Sequence, residues 1–252
     1  MMKKTIIGTC VLILSVSIPS CSDLSGLSSL SGAGVKTGLT TAEITAGLKE
    51  ALNNGVSAGV KYLATNNGYY NDIATRIGLP SEASIITENI SKLPGGSTLV
   101  TNTVKRINAA ASDAVVNATP IFANAITSMT FSDAKSILAG NKTAATTYFK
   151  GKTKTGLKNL FSGYIKSSTE KKIIGDISCS SSWNTLTDKW NGVATTMVGK
   201  AAGLKTVNTD LNDYLTDKAV DGLYYKVGEQ EKNIRTNASA RTSALLQKVF
   251  GH

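Results

Sequence analysis

The chain has 252 residues, 41% hydrophobic and 6% aromatic, with 27 basic side chains against 17 acidic ones and a net charge of +10. Cys10 lies in the leader, Cys21 is read as lipidated, and only Cys179 remains, so no internal disulfide forms; the single histidine is His252, which excludes interior Ser-His-Asp, Cys-His and His-rich zinc sites. Carboxylate or Ser-Lys chemistry is what remains for an enzyme.

The first 21 residues carry Lys3 and Lys4, then an apolar run from Ile6 to Ile18, then Ile18-Pro19-Ser20-Cys21. The run is shorter than the roughly 20 residues a membrane helix needs. A basic start, a short apolar core and a lipobox-like tetrad describe a bacterial lipoprotein signal over residues 1–20. Cys21 then becomes the lipidated first residue of the mature chain and its link to the membrane. The expected address is the cell envelope, on the outer membrane facing the periplasm. Residues 21–40 are rich in Ser, Gly and Leu and read as a flexible tether. Residues 41–252 read as one all-α domain of about eight to ten helices.

Thr40-Thr41-Ala42-Glu43 has the form of a capping box. Ile44, Leu48, Leu52, Val56, Val60 and Leu63 follow at helical spacing. Beside them Gly47, Ala51, Gly55 and Gly59 recur every fourth residue. Each helix-interior glycine costs about 1 kcal/mol, so the stripe predicts close approach of another helix. Lys49, Glu50 and Lys61 interrupt the run and exclude a membrane dimer motif. Gly68 is expected to end this helix, with a structured loop to Pro80.

Ser81 is expected to open a short helix through Leu93, bearing Ile85, Ile86 and Ile90, and Pro94-Gly95-Gly96 breaks it. The next helix starts at Ser97, with Val100, Val104, Ile107, Ala111 and Val115 inward. Pro120 marks a helix start, followed by Ile121, Phe122 and Ile126. Ser132-Asp133-Ala134 opens another helix that stops at Gly140. Thr143 to Ile165 reads as a long helix, with a kink expected at Gly151 or Gly156 and Leu157, Leu160, Phe161, Tyr164 and Ile165 inward. Lys150, Lys154 and Lys158 stand four apart on one outer stripe.

Residues 167–182 are polar and read as irregular, with Cys179 in a loop. Trp183, Leu186, Trp190, Val193 and Met197 restore the helical period. Asp210 is expected to cap a short turn, and Thr216 a helix carrying Val220, Leu223, Tyr224, Val227, Glu231 and Ile234. Glu231 and Arg235 read as an i,i+4 pair worth a few tenths of a kcal/mol. Arg241 to Phe250 closes the chain as a helix. No segment alternates with period two, so no sheet is expected.

Motif searches mostly exclude. Gly151-Lys152-Thr153 resembles the end of a phosphate loop, but Thr146 stands where that pattern needs glycine. The acids at 210, 213 and 217 have helical spacing, not that of a calcium loop. No metal site, cofactor or catalytic residue is assigned. Between Lys142 and Lys172 eight lysines face one acid, Glu170. With export excluding nucleic acid, the partner class for Lys150, Lys154 and Lys158 is anionic lipid or an envelope polymer.

Four blocks, Asn71 to Pro80 (NDIATRIGLP), Met129 to Phe149 (MTFSDAKSILAGNKTAATTYF), Tyr214 to Arg235 (YLTDKAVDGLYYKVGEQEKNIR) and Ala240 to Gly251 (ARTSALLQKVFG), together resemble the bacterial domain of unknown function 4197. The resemblance spans roughly residues 37–251 and is weakest over 167–209. It implies an exported, often lipid-anchored, all-helical protein and no established activity. The polar residues it carries over are Arg76, Asp133, Thr146, Tyr148, Thr216, Lys218, Asp221, Glu231, Arg235, Arg241 and Lys248, without assigned roles. The expected function is a non-enzymatic envelope binding or scaffold module; a carboxylate-based hydrolase and a carrier of a lipophilic ligand are the alternatives.

Overall fold

A computed structural model of the chain describes residues 39–91, 94–174, 176–208 and 210–251. The expected signal, Cys21, most of the tether, Leu93 and His252 lie outside the described residues. All described residues belong to one unit, Lys36–His252.

Thr40 caps α1 (Thr41–Leu63): its hydroxyl accepts from the Glu43 amide at 3.2 Å, and Glu43 accepts from the Thr40 amide at 2.9 Å. The predicted stripe is the buried one, from Ile44 to Leu63 with Gly47, Gly55 and Gly59. The glycines meet the expected neighbours. A Cβ on Gly47 would stand 2.7 Å from Val249 of α11 (Ala244–Phe250), and one on Gly59 would stand 3.3 Å from the Val227 amide nitrogen of α10 (Leu211–Thr236).

Helix α10 packs against both α1 and the equally long α7 (Ala144–Thr169). The other face of α7 meets α4 (Gly96–Val115) and α5 (Thr119–Thr127), and α6 (Phe131–Ala139) joins α1 to α7. At the centre the Phe122 ring meets Phe149 at 5.1 Å and Tyr224 at 6.2 Å, both edge-on. The Tyr224 hydroxyl shares a 2.8 Å hydrogen bond with Thr153, so its polar end is satisfied inside the core. Buried Asn108 on α4 clamps the Ile77 backbone, accepting from its amide at 2.9 Å and donating to its carbonyl at 2.8 Å. That clamp holds the 72–80 loop, which connects α2 (Gly68–Asn71) to a 3-10 turn and α3 (Ser84–Ser91).

The fold is all-α: among the described residues nine helices have seven or more residues. A short antiparallel hairpin, β1 (Lys172–Ile174) with β2 (Ile177–Ser178), departs from the expectation of no sheet. Cys179 is the first residue of α8 (Cys179–Ala194), not part of a loop, because Ser178 and Ser181 form a capping box. Gly68 opens α2 instead of ending α1, which stops at Leu63; left-handed Asn67 makes the turn. Helix α7 is continuous through Gly151 and Gly156.

Asp210 caps a single long α10, its carboxylate accepting from the Asp213 amide at 2.9 Å, so Thr216 is a buried residue of the second turn. Tyr164, expected inside, is 39% exposed, its hydroxyl accepting from Asn117. Val193 and Met197, which continue the helical period in the sequence, are 56% and 88% exposed, because α8 ends at Ala194 and the chain turns into α9 (Met197–Ala201).

Gly59→Leu should cost about 1 to 3 kcal/mol by forcing α1 from α10. Gly163→Ala, with open space around its Cβ, should be neutral or stabilising by up to about 1 kcal/mol. Urea unfolding of the two variants measures the contrast.

Candidate functional site

Glu231 sits on the apolar face of α10 and is 7% exposed. One carboxylate oxygen accepts from the Ala145 amide at 2.9 Å. The other accepts from the Thr146 amide at 2.9 Å and the Thr146 hydroxyl at 2.8 Å. Those amides belong to the first turn of α7, whose own N-cap, Thr143, makes no side-chain cap bond. Glu231 is therefore a cap supplied by a different helix, and its charge faces the positive end of the α7 dipole.

Arg235, one turn on, pairs with Glu231 at 3.1 Å and donates to the Ile137 and Leu138 carbonyls at 2.7 and 3.4 Å. These are C-terminal carbonyls of α6. Arg241 donates to the Ile234 and Arg235 carbonyls at 3.0 and 2.9 Å, finishing α10. The predicted i,i+4 pair is present, and it is also a buried junction of three helices.

The lysine stripe borders the α7–α10 seam. Lys158 bridges Asp213 at 2.8 Å and Asp217 at 3.0 Å, and the hydrogen bonds it donates, first to Asp213 and then to Asp217, raise its pKa. The Lys150 ammonium lies 5.6 Å from the Tyr224 ring. Lys150 and Lys154 are exposed and have no ion pair among the described residues. Asp221 is exposed on α10, one turn beyond Asp217, so acids line the same seam.

Sequence reasoning missed one charged centre. Lys226 of α10 is 12% exposed between Asp72, with which it pairs, and Glu229 at 2.9 Å, under the Tyr62 ring. Burial alone would lower its pKa, but hydrogen bonds and charge from Asp72 and Glu229 outweigh this and hold it well above the ordinary value. A lysine so held stays protonated and is unsuited to act as base or nucleophile. The Lys226 hydrogen bond, against burial, holds the Asp72 carboxyl below its ordinary 3.8. Burial pushes the Cys179 thiol up to about 11, the opposite of what a reactive cysteine requires.

Asp133, Tyr148 and Arg76, also carried over, do local structural work, whereas the buried Thr216 hydroxyl has no hydrogen-bond partner among the described residues. Asp133 closes a capping box with Thr130 at the start of α6. The Tyr148 hydroxyl donates to the Ala125 carbonyl at 3.1 Å, joining α7 to α5. The Arg76 side chain donates to the Tyr70 carbonyl and stacks 4.7 Å over that ring. Exposed Lys218 lies 5.5 Å from the Tyr214 ring.

Two open clefts mark the surface. One, of about 530 Å³, is bordered by Arg106, Asp113, Tyr164, Ser167 and Lys171. The other, of about 420 Å³, is bordered by Glu170, Ser180, Asn184, Asp188 and Asp210. Asp210 is committed to the α10 cap, and an open cleft does not shield a reacting bond from water. The apolar hollow beside Glu231, between Leu48, Leu52, Ile234 and Phe250, encloses about 10 Å³. Ligand pockets run to roughly 300 Å³ or more. Among the described residues no group of three or more His, Cys, Asp or Glu is placed to hold a metal, and no helix is long and apolar enough to cross a membrane.

The family model described as protein of unknown function (DUF4197) matches residues 38–251. The chain belongs to this family. No curated protein and no solved structure matches it. In this DUF4197 chain the block from Tyr214 to Arg235 supplies α10, and the block from Met129 to Phe149 supplies α6 and the start of α7. The two blocks meet at Glu231 and Arg235.

Glu231→Ala strands the Ala145 and Thr146 amides and leaves Arg235 unpaired. It should cost about 3 kcal/mol or more, read by denaturant unfolding, whereas an exposed change such as Lys154→Ala should stay within about 0.5 kcal/mol. Asp72 gives a pH test. Its folded pKa is depressed, so its contribution is present above 3.8 and lost as pH falls through the folded value. Asp72→Asn should reduce the fall in melting temperature on acidification and lower stability at neutral pH.

Proposed function

We propose that the protein is a lipid-anchored protein of the bacterial envelope, acting as a non-enzymatic binding or scaffold module. The observation that carries the non-enzymatic part is the engagement of the Glu231 carboxylate. The one buried acid among the described residues has its oxygens occupied by backbone amides, a hydroxyl and a guanidinium. A group so occupied is held in its role and offers no vacant lone pair to a substrate. Lys226 and Cys179 are likewise in states that oppose nucleophilic work.

The address rests on Lys3, Lys4, the apolar run to Ile18 and the tetrad ending at Cys21. A body tied to a bilayer by a short chain samples that surface continually. Lys150 and Lys154 then offer anionic headgroups or an envelope polymer about 1 kcal/mol each near the surface. Asp213 and Asp217 already compensate Lys158, so its share is smaller.

Cells fed a labelled fatty acid should incorporate label into the wild-type chain and none into Cys21→Ser. Label that persists in Cys21→Ser, or is missing from the wild type, contradicts the anchor. For the basic face, Lys150→Glu with Lys154→Glu should weaken binding to anionic vesicles at low salt. Unchanged binding would remove that face from the proposal.

A further inference from the structure

We propose that the α8–α9 corner is a membrane-contact tip that seats Val193, Met197 and Val198 in the headgroup region of an anionic bilayer. The proposal rests on the envelope address for its setting, and its test does not require the lipid.

Val193 is 56%, Met197 88% and Val198 79% exposed, three aliphatic or thioether side chains on one helix–turn–helix corner. Single exposed apolar residues are ordinary; a cluster at a projecting turn marks a contact surface. The charge around it selects the partner. From Lys189 to Asn208 the chain carries Lys189, Lys200 and Lys205 and no acid. Lys189, Lys200 and Lys205 are all exposed, so with Asp188 the stretch through the tip keeps a net positive charge, which matches the interface of an anionic bilayer. The side chains enter the acyl boundary while the ammonium groups stay at the phosphates.

The corner is built to hold its shape. The Asn191 amide group donates to the Val207 carbonyl at 3.0 Å, and its oxygen accepts from the Val207 amide at 2.9 Å. The Trp190 indole donates to the Lys205 carbonyl at 2.9 Å, and the Trp183 indole to the Asn208 carbonyl at 3.2 Å. These bonds fasten the returning strand of chain to α8. Thr196 caps α9, accepting from the Gly199 amide at 3.0 Å. A Cβ on Gly199 would stand 2.3 Å from the Val193 carbonyl oxygen, so only glycine lets α9 close this tightly on the end of α8. Local backbone groups are tied inward while three apolar side chains are left outward. A pre-ordered tip loses little conformational freedom on docking.

The test uses the mature chain, residues 21–252, carrying Cys21→Ser so that no lipid contributes. Vesicles of phosphatidylcholine with and without phosphatidylglycerol are the probe, read by co-sedimentation and by tryptophan emission. Trp190 lies one turn from Val193 and is half-buried, whereas Trp183 is buried already. The parent should bind the phosphatidylglycerol vesicles with a blue shift. Met197→Asp with Val198→Asp should reduce partitioning at least about tenfold, since charged groups are excluded from the acyl boundary, without changing the melting temperature. Lys150→Glu with Lys154→Glu should retain the blue shift. Equal binding by parent and tip variant, or no binding by the parent, overturns the proposal. Binding without a blue shift that only the α7 variant weakens assigns the contact to the α7 face instead. A dimer that the tip variant dissolves assigns the tip to self-association. Fatty-acid labelling reads the anchor separately, so its failure is not confused with failure of the tip.

Discussion

A carboxylate from the C-terminal part of one long helix closes the start of another. Glu231 gives the first turn of α7 the acceptors its own sequence lacks, and Arg235 carries the connection to the end of α6. Helix starts and ends leave backbone groups that must be satisfied, and burial sharpens that requirement. Here one ion pair answers both ends, negative at an N-terminus and positive at a C-terminus. The register of α7 on α10 follows from it. With Glu231 fixed at Ala145 and Thr146, antiparallel packing sets Tyr224 against Thr153 and Lys158 against Asp213 and Asp217. The aromatic centre of Phe122, Phe149 and Tyr224 is assembled on that register.

Local signals in the sequence were legible where neighbours in the chain decide the outcome. The Thr40–Glu43 capping box, Pro120 at a helix start and the buried stripe of α1 are all present as read. The glycine ladder revealed a tertiary fact, because its cost inside a helix makes sense only with a partner at close range. Failures came where two local rules competed. Thr216 looks like a cap before an apolar run, but Asp210 caps six residues earlier and the helix simply continues. Gly68 looks like a helix stop, yet Asn67 takes the left-handed turn. Val193 and Met197 keep a helical period that the chain abandons at Ala194.

The role of Glu231 was half visible. Its place among Val220, Leu223, Tyr224, Val227 and Ile234 put an acid at a core position, which is itself a signal. Its partners are 85 and 86 residues away, and no local pattern names them. A still longer separation in the chain hid Asp72 from Lys226. The surroundings of the lysine stripe were not legible, because the acids of α10 enter only when the two helices pack. The candidates for contact with the outside are therefore surfaces, the α7 lysines and the α8–α9 corner, while Glu231, Arg235, Asn108 and Thr153 in the interior tie elements together.

The central claim is that Glu231 satisfies the α7 N-terminus. Hydrogen exchange at the Ala145 and Thr146 amides of the unaltered protein tests it most directly. First-turn amides of a helix ordinarily exchange fast, since nothing within the helix accepts from them. Protection of both amides close to that of Phe149 and Thr153 in the core of α7, lost on Glu231→Ala, is the predicted result. Fast exchange of both amides in the unaltered protein would contradict it.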